Sequence, residues 1–398
     1  MTGSLDGLSI RERGGAGPGT RGTHRGSGVT GSDMSAGSAA VPAARRRRSL
    51  AVLLGVAVLA GAGLGTWATG TWPFARQSYC WGAWEAREGD RVPRVLDETS
   101  QDEERSGEQS APPRKGRRAT CSVTLRDTGG SGYDERVEAE VATVPRGSKE
   151  RRGWLRTYLD ADSAPLPDGL PGLVGRTRAV FVLPEECDSA DGLPTAVTVQ
   201  GAGTSPLTAS MGTEGQVADL LLSLAGTAAR ASGCAPDEPF EAGSPLARAG
   251  ADDGLTAQGG ELCRIPGLRF DLDKDDHYDA GVGAVRDDLQ TCSVLDTADV
   301  RNPVRAALFA AVSRPRLAAL FTGLADDRSP GEGWRGTGEV GEEHGFLTAT
   351  CAGRPTVFFL QLDAYLAAHA DPDPRRVFAA AANSVADRLG CPAVAPAS

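Results

Sequence analysis

The densest grouping of reactive side chains in the chain is DLDKDDHYD, residues 271–279. Asp271, Asp273 and Asp275 alternate as carboxylates do around a calcium ion. Counted from Asp271, an EF-hand loop needs Gly at its sixth position and Glu at its twelfth. Those positions hold Asp276 and Val282, so the stretch reads first as a solvated acidic loop and only as an alternative calcium site. His277 beside Asp279 is a candidate acid–base pair, and Glu342, Glu343 and His344 form a second. Neither has the H-E-x-x-H spacing of a zinc protease. The sequence has four histidines, His24, His277, His344 and His369, no G-x-S-x-G nucleophile turn and no G-x-x-x-x-G-K-[ST] phosphate loop. A catalytic triad or a nucleotide site therefore has little material. The expected catalytic set is none. The alternative is a hydrolase confined to the second half, using His277, Asp279, Glu343 and His344. No cofactor is expected and no metal, with Asp271, Asp273 and Asp275 as the alternative ligands.

The eight cysteines carry more information. Cys80, Cys121, Cys187, Cys234, Cys263, Cys292, Cys351 and Cys391 show no C-x-x-C spacing, which argues against a zinc knuckle or a thioredoxin-type site. An even count with wide spacing reads as disulfides in an oxidising compartment. They fall into two sets of four with gaps of 41, 66 and 47 residues, then 29, 59 and 40. The word TCSV surrounds the second cysteine of each set, at 120–123 and 291–294. Cys, a turn, Pro-Thr, four residues and Gln recur at 187–200 and 351–361. Each set closes on Gly-Cys. This pattern predicts a duplicated module with bridges first-to-second and third-to-fourth within each copy.

The elements that must carry these residues follow from periodicity. Strands are expected at 120–125, 137–144, 177–183, 195–199, 346–351 and 357–360. A helix over 214–232 starts at Thr213 with Gln216 in the reciprocal capping position and is expected to bury Val217, Leu220, Leu221, Leu224, Ala228 and Ala231. A closing helix over 374–389 starts at Asp373-Pro374. Residues 304–312 and 317–324 are expected to be helical pieces broken near Pro315. The polar stretch 85–118 reads as a loop.

Upstream of all eight cysteines lies LAVLLGVAVLAGAGLGTWATGTW, residues 50–72, without a charged side chain and directly after Arg45, Arg46, Arg47 and Arg48. A run of roughly 20 apolar residues suits a membrane helix, and the flanking arginines set the N-terminal side as cytoplasmic. Eight of the 42 basic residues lie in 1–48, and the remainder is acidic by 15 charges. That excludes an extended nucleic-acid surface.

The expected fold class is α+β: two tandem similar modules, each a small, mainly antiparallel sheet covered by a C-terminal helix, after one transmembrane helix. The expected division is a disordered cytoplasmic tail 1–48, a membrane helix 49–72, a first module 75–234, a linker 235–258 and a second module 259–395. The Ala, Gly, Arg and Asp richness, the RRRR flank at 45–48 and the cysteine-bearing region beyond it resemble membrane-anchored extracytoplasmic proteins of actinobacteria, Streptomyces-like ones in particular. The resemblance implies a cell-envelope setting and carries no residue role. The functional expectation is a single-pass, non-catalytic envelope protein. Its partners would be the cell membrane through 49–72 and a basic protein or envelope ligand bound by the duplicated ectodomain, with no nucleic acid.

Overall fold

The two copies of TCSV lie at matching places in two separate seven-stranded sheets of the computed structural model. Residues 77–86, 92–97, 99–129, 134–203, 209–236, 238–246, 255–256, 261–273, 276–283, 285–299 and 303–397 are described. A short ribbon, β1 (Ser78–Tyr79) with β2 (Trp84–Glu85), precedes the first sheet. That sheet comprises β3 (Glu103–Gln109), β4 (Ala119–Asp127), β5 (Glu135–Thr143), β6 (Ala164–Pro165), β7 (Gly172–Val174), β8 (Arg178–Val182) and β9 (Thr195–Ala202), with α1 (Ser148–Tyr158) after β5 and α2 (Glu214–Ser232) after β9. The second sheet comprises β10 (Leu255–Thr256), β11 (Tyr278–Val282), β12 (Leu289–Asp296), β13 (Val304–Val312), β14 (Thr337–Val340), β15 (His344–Cys351) and β16 (Arg354–Leu362). The helices α3 (Pro315–Ala318), α4 (Ala364–Ala368) and α5 (Pro374–Arg388) accompany it.

The spatial orders are β3-β4-β5-β9-β8-β7-β6 and β10-β11-β12-β13-β16-β15-β14. Dropping the edge strands β6 and β10 leaves one order, and every pairing is antiparallel. The register agrees as well. Cys121 pairs with Ala139 and Ala139 with Val199, as Cys292 pairs with Phe309 and Phe309 with Leu360. Bridges join Cys80 to Cys121, Cys187 to Cys234, Cys263 to Cys292 and Cys351 to Cys391. Cys80 and Cys263 both sit in left-handed turns, at φ 51° and 53°. Gly233 and Gly390 take φ 70° and 71°, which lets the following cysteine N–H bond back to Ala229 O (3.0 Å) and Ala386 O (2.8 Å). That closes each helix in the manner glycine favours.

Each closing helix covers one sheet face because it has one apolar stripe to bury. Val217, Leu221, Leu224 and Ala228 of α2 pack on Val123, Val137, Phe181 and Val197. Val377, Phe378, Ala382 and Val385 of α5 pack on Phe309, Leu347, Phe358 and Leu360. The other faces meet in a third apolar layer. Leu173, Val180, Val182 and Ala196 of the first sheet join Leu289, Leu308, Ala310 and Val312 of the second, with Leu155 and Leu159 beside them. Each fully buried leucine or valine there stabilises by about 1.5–3 kcal/mol. Arg314 Nη1 donates across this layer to Leu166 O (3.0 Å) and Leu170 O (2.6 Å). Arg316 reaches Leu183 O and both Asp188 oxygens at 2.6–3.0 Å.

Three expectations require correction. Residues 304–312 form the strand β13, not a helix. β13 lies mid-sheet and is buried on both faces, so its sequence shows no alternation. Residues 103–109, expected as loop, are the edge strand β3, held by backbone pairing to β4 despite six polar side chains. The third concerns the membrane. The fold class stands corrected to two sheet-plus-helix modules, and among the described residues no helix is long and apolar enough to cross a bilayer. The longest, α2, carries Glu214, Asp219 and Arg230 and spends its apolar face on the first sheet. The tail 1–48 and the stretch 49–72 lie outside the described residues. Membrane anchoring, the single-pass topology and the envelope role resting on it are therefore withdrawn.

Candidate functional site

In the acidic segment one carboxylate, Asp276, is engaged by its own turn and by a distant tyrosine. Asp276 accepts the Asp273 N–H (2.8 Å) and the Tyr365 hydroxyl (2.9 and 3.0 Å). The bond to Asp276 pushes the Tyr365 phenol pKa upward. Asp271, Asp273 and Asp279 are exposed, and Asp275 lies outside the described residues. The His277 carbonyl takes the Thr297 N–H (2.7 Å) and hydroxyl (3.0 Å). Among the described residues no group of three metal-ligating side chains comes together. His344 Nε2 lies 3.5 Å from Glu339 on the neighbouring strand, while Glu343 contributes its carbonyl to the Leu362 N–H at 2.8 Å. Neither of the two clefts described below is lined by a histidine. The hydrolase alternative in the second module is dropped on that geometry.

The larger cleft, 520 Å³, lies on the first sheet, on the face opposite α2. Two rows of side chains floor it across the strands. Glu108, Ser122, Glu138 and Gln200 are successive cross-strand partners, as are Thr120, Glu140 and Thr198, with Ser110 beside Thr120. Tyr158, the last residue of α1, closes one side. Its phenol pKa is pushed up by burial, partly offset by a hydrogen bond with Thr198. Arg118 Nη2 donates to Glu140 (2.8 Å), and Arg136 Nε lies 3.0 Å from Glu138, whose other oxygen accepts from Gln200 Nε2 at 3.1 Å. Gln109 is fixed by the Trp81 N–H (2.9 Å). Ser122 is 93% buried, with 7% of its surface exposed at the cleft floor.

In the second module the matching positions are covered. Ser293 matches Ser122, and Arg305, opposite Leu295, matches Arg136, opposite Thr124, after a register shift between Val294 and Leu295. Here the first module's own segment after α1 lies on the strand. The Ala161 N–H donates to Ser293 Oγ (3.1 Å), and Arg305 binds Asp160 and the Arg156 carbonyl. A Cβ on Gly281 would stand in ordinary contact with Ala161 at 3.5 Å, and one on Gly283 would collide with Thr291 Oγ1 at 2.0 Å and press on Ala161 Cα at 3.3 Å. In the first module Glu108 stands at the Gly281 position. Leu308 and Ala310 become Glu138 and Glu140, and Phe359 becomes Thr198. The duplicated face is thus open in the first module and covered in the second.

Sequence reasoning located Ser122 and Gln200 only as members of the repeated words. Glu108, Glu138 and Glu140 were within reach of the same comparison once the strand register was known. A second, more apolar groove of 460 Å³ lies in the second module, floored by Phe321, Phe346 and Val357 and rimmed by Asp326, Asp327 and Arg354.

No protein-family model matches the chain, and no curated protein is similar to it at a significant level. Among solved structures it is similar to DynU16, a protein of the dynemicin biosynthetic locus, at 12% identity over 73% of this chain and 98% of that one, with a TM-score of 0.13. A likeness at that score carries no argument about fold or function.

Proposed function

We propose that the protein is a non-covalent recognition protein with one site, the polar cleft on the first sheet, and that the second module is its structural mate. One observation carries this reading. The same strand position that seats a stretch of polypeptide in the second module, Ser293 under Ala161, is open in the first, at Ser122. The cleft volume is within the range of small-ligand sites, roughly 300–1,000 Å³. Its lining is more polar than usual, which favours a ligand held by hydrogen bonds and charge over one held by apolar burial. The arrangement has the donors and acceptors for binding.

The test is a screen of small polar compounds by amide NMR shifts on the isotopically labelled protein. Hits are expected to move the amides of Ser122, Glu138 and Gln200 and to leave Ser293 and Gln361 in place. Hits mapping only outside the cleft, or a blank screen, would overturn the reading.

A further inference from the structure

We infer that the ligand of this cleft is a small organic ammonium ion, an inference that rests on the recognition reading above. In the second module the incoming segment supplies two things: an N–H to Ser293 and a carboxylate, Asp160, to Arg305. In the first module the carboxylate demand is already met inside the sheet. Arg136 is paired with Glu138, and Arg118 with Glu140. An incoming anion would have to displace one of these carboxylates and would meet the others at close range. What remains unmet is donation. Ser122 Oγ lies at the cleft floor, nine-tenths buried, between Glu108 on β3 and Glu138 on β5 in the same cross-strand row.

An ammonium group fits that place. It has up to three N–H donors and a positive charge: one hydrogen bond reaches Ser122 Oγ, as the Ala161 N–H reaches Ser293 Oγ, and the charge sits among Glu108, Glu138 and Glu140. Against two arginines these three glutamates leave one surplus negative charge in the cleft lining. Hydrogen bonds between an ammonium and carboxylates are about twice as strong as neutral ones. The position-by-position change from Gly281, Leu308 and Ala310 to three glutamates adds this preference to a face otherwise built alike. The acidic chain, net −10, adds weaker long-range attraction for a cation.

The experiment is isothermal titration at low salt with 1,4-diaminobutane, 1,4-butanediol and succinate, on the intact protein and on Glu108→Gln, Glu138→Gln and Ser122→Ala, each first checked for an unchanged circular dichroism spectrum and melting temperature. Glu108 is exposed, so its variant keeps the test available if a buried change misfolds. The diamine is expected to bind at one site. Its Kd is expected to rise about tenfold in either glutamine variant and about fivefold in Ser122→Ala. Diamine binding that is the same in all three variants would overturn the inference, since it would be diffuse attraction to an acidic surface. Equal or tighter binding of the diol or of succinate would overturn the ammonium class while leaving the recognition site in place, as would NMR hits in the cleft that carry no amine. A blank titration together with a blank NMR screen would remove both.

Discussion

At the scale of single residues, the two matched arginines show how burial sets the worth of a charge. Arg305 and Asp160 have side chains only 12% exposed each. Burial pulls the Arg305 guanidinium pKa down, and Asp160 opposes that pull. Removing one member of such a pair leaves the other charged and unsolvated. Arg305→Ala is therefore expected to destabilise the fold by about 3–5 kcal/mol in urea unfolding. Arg136 and Glu138 are 43% and 39% exposed, and Arg136→Ala is expected to cost under about 1 kcal/mol. Comparable losses at both positions would contradict the burial argument. Asp168 gives a pH-dependent case. Its carboxylate accepts Ser244 Oγ–H (2.7 Å), Ser244 N–H (2.9 Å) and Gly243 N–H (2.8 Å), and these bonds hold its pKa below the ordinary value. A depressed folded pKa means that this clamp is fully present above the unfolded value, about 3.9, and is lost as pH falls through the lower folded value. Acid titration followed by NMR is expected to release the Gly243 and Ser244 amides only below that ordinary value. Release at neutral pH would refute the clamp.

At the scale of elements, α2 begins where its cap residues say it should. Thr213 Oγ1 accepts the Gln216 N–H (3.3 Å), and Gln216 Oε1 accepts the Thr213 N–H (2.8 Å), while Gln216 Nε2 reaches Val92 O (3.0 Å). Thr213→Ala is expected to lower stability by about 1 kcal/mol, read as a drop in melting temperature. No change would mean that packing on the first sheet alone fixes the start of the helix. Strand β13 is the opposite case. VRAALFAAV suits a helix by composition, yet it pairs with β12 and β16 and is buried between α5 on one side and the first module on the other. Tertiary burial overrides local preference there, as it commonly does for apolar runs without alternation.

At the scale of the molecule, the apolar layer between the sheets ties the modules together. Leu308 is fully buried in it, and the matching position in the first module is Glu138, on the open cleft. Leu308→Glu places an unpaired carboxylate in that layer and is expected to destabilise the protein by more than about 4 kcal/mol and to split a single calorimetric transition into two. Glu138→Leu is expected to leave the transition single. A Leu308→Glu protein that still melts in one step near the original temperature would show that the layer does not couple the modules.

The sequence by itself determined the duplication and most of its local parts. Four cysteines in fixed order, two short words and two capped amphipathic helices are local patterns, and each depends on the chain within a few tens of residues. They specified the TCSV and Pro-Thr strands, the bridges within each module and the two Gly-Cys helix ends, because turn chemistry, loop closure and one-sided burial act over that range, whereas β3 and β13 were missed. The readings that depended on isolated residues went differently. Of the carboxylates in 271–279, that of Asp276 is taken up by an internal turn and by Tyr365, which lies 89 positions from it in the chain. The stretch 49–72 lies outside the described residues, and its apolar length and arginine flank alone did not carry a membrane placement. Only the tertiary structure decided that one copy of the TCSV face is filled and the other open. Ala161 and Ser293 are 132 residues apart, and TCSV is spelled identically in both copies. The difference lies in what the opposite strand and the other module bring to that face, and one-dimensional spacing does not contain that information.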